Sequence, residues 1–321
     1  MNYKNFFYKF NKKKLIIFFL VLIIILSIIK AADVFLNKKY GLGNIVLYQN
    51  SIINGYDLKP NQKIINRRSN TIYINNKGMR SSNDWLKNNE RKILFIGDSV
   101  TYGGSIVSNN ELFSEKICEK LNVNKKKFLC GNYAVNGYGI ISMKNKIQYK
   151  EFNDEEFIII ILTGSDLERN FHNLYSQPFL SKKIENHFPA LTELIFIYVE
   201  KFIYNLKYEK DSLEVEINSE KYKNFAKINI EDLSRISKKN NKKIILVYSP
   251  EISEISNQKK FYYYKDTLKN NFSNFLDMTD YISREKNFNK IYHDNIHLNA
   301  EGHEFYSIII KNYLINKFKL W

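Results

Sequence analysis

From Arg91 onward, short apolar runs of strand length alternate with stretches whose apolar positions recur at helical spacing. The runs are Lys92–Ile96, Phe128–Val135, Phe157–Thr163, Lys243–Ser249 and Asn274–Thr279; helical spacing covers Glu111–Leu121, Asn218–Lys239, Lys259–Asn270 and Ala300–Phe318. Strands apolar on both faces and separated by helices predict an α/β fold, a three-layer α/β/α arrangement around a five-stranded parallel sheet. In such a sheet chemistry gathers beyond the carboxyl ends of the strands. Residues 168–215 break the rhythm and read as an insertion or lid with a helix near Ala190–Tyr204. Residues 37–90 are polar and turn-rich, with β-like pieces at Asn44–Tyr48 and Thr71–Asn75 and turn signals at Asn54-Gly55 and Lys77-Gly78. They predict a small extended β-rich collar.

The start of the chain follows another pattern. Residues 1–14 carry Lys4, Lys9, Lys12, Lys13 and Lys14 and no acid, and an apolar run from Leu15 to Ile29 follows, broken only by Ser27. A helix of that run reaches about 22 Å, short of the roughly 30 Å hydrocarbon core. A span over residues 15–36 therefore needs Lys30 to snorkel and Ala31–Leu36 to contribute, against the cost of Asp33. A cleaved signal peptide is the competing reading, but Ile29 and Lys30 are poor third positions before a cut at Ala31 or Ala32. We read an uncleaved anchor at 15–36. In both readings the basic tail stays cytoplasmic, so residues 37–321, the collar (37–90) and the main domain (91–321), lie outside the cytoplasmic membrane.

Composition narrows the class. The 321 residues are 44% hydrophobic and 15% aromatic, which excludes a disordered chain. Two cysteines exclude a multi-disulfide scaffold and a four-Cys zinc site. The formal charge of +16 could attract nucleic acid, but the lysines are scattered and no binding motif accompanies them. No nucleic-acid partner is expected.

The first apolar run ends Gly97-Asp98-Ser99, which places a hydroxyl just past a strand where a helix is about to begin. A serine there can sit near backbone N–H groups that hold an oxyanion, but it needs a base. Alone, the triplet reads better as an ordinary capped turn. Near the end of the chain, His293-Asp294-Asn295-Ile296-His297 precedes the last helix. With Asp294 three residues before His297, a tight loop lets the carboxylate hold one imidazole nitrogen while the other faces a serine. His293, Asp294 and His297 also admit a metal reading, which lacks a fourth ligand cluster. The Ser–His–Asp reading outweighs it; no metal and no cofactor are expected.

These residues resemble the SGNH, or GDSL, hydrolase superfamily over residues 91–321, with its blocks in order. The resemblance implies Ser99 as nucleophile and oxyanion donor, Gly137 in Asn136-Gly137-Tyr138-Gly139 as second donor, and Asp294 and His297 as the remaining catalytic pair. The third block departs. Where the family has Gly-x-Asn-Asp, this chain reads Gly164-Ser165-Asp166, which puts Ser165 in the place of the oxyanion asparagine, with Asn170 nearby. The segment Gly55-Tyr56-Asp57-Leu58-Lys59-Pro60-Asn61 with Gly78-Met79-Arg80 resembles one that precedes this domain in envelope-associated members acting on acylated polysaccharides; a structural β-arm is the other reading. Cys118 and Cys130 can pair in an oxidising compartment or remain buried thiols. The implied function is serine ester hydrolysis on acylated carbohydrate or lipid. Acyl transfer by the same fold, or a weakened glycan-binding role, stays open.

Overall fold

The computed structural model describes residues 12–66, 68–86, 90–124, 127–169, 185–211, 219–240, 242–256 and 262–320. A long helix, α1 (Lys12–Tyr40), precedes two antiparallel hairpins, β1 (Tyr48–Ser51) with β2 (Gly55–Leu58) and β3 (Gln62–Ile65) with β4 (Thr71–Ile74). The main domain follows as β5 (Arg91–Ile96), α2 (Ser99–Tyr102), α3 (Phe113–Leu121), β6 (Phe128–Asn132), α4 (Ile140–Tyr149), β7 (Phe157–Leu162), α5 (Gly164–Glu168), α6 (Ala190–Asp211) and α7 (Ser219–Lys239). It ends with β8 (Lys243–Tyr248), α8 (Ile252–Ile255), α9 (Tyr262–Asn271), β9 (Phe275–Asp277), α10 (Thr279–Ile282) and α11 (Ala300–Phe318).

The sheet is parallel with order β6-β5-β7-β8-β9. Its three layers follow from the two-residue period of the strands. On β7, Ile158, Ile160 and Leu162 pack with Met143 of α4, Ile230 of α7 and Leu268 of α9, while Phe157, Ile159 and Ile161 pack with Phe113 and Ile117 of α3 and Ile310 of α11. Both faces are buried, which explains the unbroken isoleucine run. The order reverses between β5 and β7, and at such a switch point the loops part beyond the strand ends to leave a crevice.

Each predicted strand run of the main domain forms a strand, three local expectations change, and one helix, α4, lies where no element was expected. The first β-like piece begins only at Tyr48, the last residue of the Asn44–Tyr48 run, and the collar contains two hairpins in place of two isolated pieces. Helix α4 has no clear apolar period because Lys146 occupies its buried face, where it pairs with Asp57 of the collar and lies 3.1 Å over the Tyr133 ring. Helix α1 runs through Asp33 to Tyr40, beyond the expected 15–36, and the Asp33 carboxylate accepts the Leu191 N–H in the first turn of α6 at 3.0 Å. The expected insertion at 168–215 holds α6, longer than Ala190–Tyr204; residues 170–184, Asn170 among them, and 212–218 lie outside the described residues.

The collar is part of the core. Tyr56, Ile72 and Met79 are fully buried in the same apolar cluster as Leu94 and Ile96 of β5. Arg80 is buried with them, and its guanidinium donates to the carbonyls of Tyr102 and Gly104, at 2.6 and 2.7 Å, and to that of Val107. Cys118 of α3 and Cys130 of β6 form a disulfide.

Candidate active site

Strand β5 delivers its last residue to Gly97, where the chain turns so closely under α2 that a Cβ would lie 2.0 Å from the Thr101 hydroxyl. Only glycine fits this turn. Asp98 then caps α2, its carboxylate accepting the Val100 N–H at 2.8 Å, and Ser99 becomes the first helical residue. A residue at that position has no intrahelical acceptor for its N–H. Among the described residues neither the Ser99 nor the Gly137 N–H has a backbone or side-chain acceptor. Gly137 sits in a turn at φ +79°, a left-handed conformation that glycine adopts without strain.

The far end of the chain comes to the same place. An antiparallel bridge between Tyr292 and Leu298, with the His293 N–H donating to the His297 carbonyl at 2.7 Å, closes a tight loop before α11. Inside it the Asp294 carboxylate accepts the N–H groups of His297 and Ile296 at 2.8 and 3.0 Å and meets His297 Nδ1 at 2.8 Å. His297 Nε2 lies 2.8 Å from Ser99 Oγ. The three side chains picked from the sequence thus form one continuous hydrogen-bonded line across 198 residues of chain. Partial burial pushes the Asp294 carboxyl up, but the two N–H groups and the imidazole outweigh it and hold it below the usual range. It remains an anion, able to fix the tautomer with a proton on Nδ1 and a lone pair on Nε2.

Behind Ser99 lies a cluster that the reading of the sequence does not include. Arg169 Nη1 stands 2.8 Å from Asp166 and 3.5 Å from Asp98, both carboxylates fully buried, and donates to the Tyr138 carbonyl at 2.8 Å. Burial, and next the Asp98 charge, push Asp166 well up against the pull of Arg169; the two acids in turn raise Arg169 despite its own burial. One guanidinium therefore joins the loops after β5, β6 and β7. The three-residue spacing from Asp166 to Arg169 was the available signal for it.

Ser165 lies in the first turn of α5, at the end of β7, and its hydroxyl is 3.0 Å from Thr163 Oγ1, a local bond within its own capping turn. His293 does not join the triad side chains: its Nε2 is 3.2 Å from Arg68 Nη1 of the collar. Among the described residues no His, Cys, Asp or Glu group is arranged to hold a metal ion. Next to this loop a cavity of about 260 Å³ lies between the collar, α2 and α6, lined among others by Tyr48, Arg68, Tyr102, Asn136, Phe196 and Glu200. Tyr102 Oη, Asn136 Oδ1 and Glu200 Oε1 are buried there without a partner among the described residues.

No family model and no curated protein sequence matches the chain. Among solved structures it is similar to the lipase/acylhydrolase from Enterococcus faecalis, at 12% identity and a TM-score of 0.44 over 71% of this chain and 96% of that one. It is similar also to a two-domain esterase active on acetylated mannans, at 14% identity and a TM-score of 0.42, covering 71% of this chain and 49% of the other, about half its length. A third is the acetyl xylan esterase Est2A from Butyrivibrio proteoclasticus, at 15% identity and a TM-score of 0.39 over 74% and 66% of the two chains.

Proposed function

We propose that this chain is a serine ester hydrolase of the SGNH/GDSL type, held at the outer face of the cytoplasmic membrane by residues 15–36 and acting on O-acyl esters of glycans or lipids. The observation that carries the reading is the Ser99–His297–Asp294 line, with both links at 2.8 Å. Ser99 Oγ attacks the ester carbonyl while His297 Nε2 takes its proton, and Asp294 stabilises the imidazolium that forms. The N–H groups of Ser99 and Gly137 hold the oxyanion, with the Ser165 hydroxyl as the third donor. His297 then protonates the departing alkoxide, and a water deprotonated by the same nitrogen releases the acid.

The cavity beside the catalytic loop supports an alcohol bearing hydroxyls. Buried acceptors on Asn136 and Glu200 call for donors, and Tyr48 and Phe196 offer apolar faces. The Cys118–Cys130 bond suits an oxidising compartment. The test is hydrolysis of a short-chain aryl ester by the full chain in detergent. Ser99→Ala and His297→Ala should each lower kcat by about 10³-fold or more; unchanged rates in both variants would remove the proposal. Transfer replaces hydrolysis if a sugar hydroxyl intercepts the acyl-enzyme, and product analysis with and without an acceptor alcohol separates the two.

A further inference from the structure

One face of helix α6 lines a cavity of the protein, and the opposite face is apolar and uncovered. Glu193, Phe196, Ile197 and Glu200 line the cavity beside the active site. On the other side Ile195, Tyr198, Val199 and Phe202 recur at the spacing of one helical stripe and are 55%, 68%, 40% and 64% exposed, with Ile203 beside them. A contiguous exposed stripe of this kind marks an interaction surface. What covers it is indicated by where α6 begins. Helix α1 packs against α6. The Asp33 carboxylate of α1 accepts the Leu191 N–H at 3.0 Å, and just beyond α1 the Gly43 N–H donates to Glu193. If α1 enters the hydrocarbon at Leu15, about 20 residues cross it, so Asp33 lies at the outer boundary and the first turn of α6 is held at headgroup depth.

We propose that α6 lies in the outer surface of the bilayer crossed by α1, with Ile195, Tyr198, Val199 and Phe202 immersed at the level of the headgroups and upper acyl chains. Tyrosine and phenylalanine suit that layer, and the exposed Lys38 and Lys39 in the last turn of α1 and Lys201 on α6 suit anionic headgroups. The cavity on the opposite face of the same helix then opens close to the membrane surface, where an ester carried on a lipid or a lipid-linked glycan would arrive. This rests on the anchor reading of α1.

The two native cysteines are joined, so one introduced cysteine provides a unique thiol. The full chain, carrying Tyr198→Cys or Phe202→Cys labelled with an environment-sensitive fluorophore, is reconstituted in phosphatidylethanolamine/phosphatidylglycerol vesicles. Ile24→Cys serves as the anchor control and Ile308→Cys, exposed on α11, as the aqueous control. Quenching at 198 and 202 by a lipid spin label near the headgroup, at least twofold stronger than by aqueous iodide, is the expected result. Quenching at 24 by a deep spin label with iodide-accessible 198 and 202 would overturn the proposal and leave the anchor standing. Shielding of 198 and 202 from both quenchers, the sign of a second copy packed on the stripe, would overturn it too. Failure at residue 24 would overturn the anchor reading and this one together.

Discussion

In the proposed mechanism Ser99, His297 and Asp294 act as one unit, so their substitutions should not add. Asp294 is about half exposed, which lets water partly replace it. Asp294→Asn should therefore cost about 10²–10⁴ in kcat, and the double variant with Ser99→Ala should be no slower than Ser99→Ala alone, as single-turnover kinetics would show. Arg169 has a different role: it pairs with two carboxylates that have no access to water, of which burial and the Asp98 charge push Asp166 towards its protonated form. Arg169→Met leaves one of them charged and unpaired or forces it to take a proton, and should lower unfolding stability by about 3 kcal/mol in urea titrations. Loss of activity with no loss of stability would show that the cluster serves chemistry alone.

At the scale of elements, the parts that hold the site are the collar and the last helix. Arg80 ties the collar to the carbonyls that follow α2; Arg80→Met should lower Tm and kcat together, because the turn bearing Ser99 loses its support. His303 on α11 is buried against Phe113, and burial, helped by Arg80 and Lys116, pushes its pKa down from 6.5 to about 3. The unfolded chain binds this proton below about 6.5 while the folded one does not until about 3. Stability from this residue is therefore present above 6.5 and lost progressively as the pH falls towards 3. The slope of unfolding free energy against pH over that window should shrink in His303→Gln. Opening the Cys118–Cys130 loop by Cys118→Ser with Cys130→Ser should cost about 3 kcal/mol, read from denaturant midpoints under oxidising conditions.

The same elements show where the sequence is informative. Uninterrupted apolar runs such as Phe157–Leu162 report strands buried on both faces, because no residue there has to meet water. The triad was legible since each member follows a strand or precedes a helix within a short recognisable turn. Helix α4 was not, because its buried Lys146 is compensated by Asp57, a residue of the collar 89 positions away. The support given by Arg80 and Arg169 was hidden for the same reason: the partners of a buried guanidinium are set by the tertiary fold. In the collar Thr71–Asn75 reads as a strand and forms β4, while β2 and β3, four residues each, are too short for alternation to register.

For the whole molecule, the fold brings the start and the end of the main domain to one mouth of the sheet, while α1, 0% buried over its most apolar window, leaves the domain at the collar side. At the opposite, amino-terminal ends of β5, β7 and β8, Arg91 and Lys243 clamp Glu156, whose hydrogen bond from Arg91 helps hold its pKa at about 2. That carboxylate keeps its stabilising charge above about 4.5 and loses it as the pH falls towards 2, a modest effect because the pair is about one-third exposed. The main domain is thus fastened away from the candidate site, leaving the proposed chemistry to the loops after β5, β6 and β7 and before α11. The most direct test of that chemistry is mass spectrometry of the full chain after treatment with a fluorophosphonate. A single adduct on the peptide containing Ser99, formed in the parent chain and slowed at least a hundredfold in His297→Ala, is the outcome required. An unmodified Ser99, or labelling at the same rate without the imidazole, would contradict it.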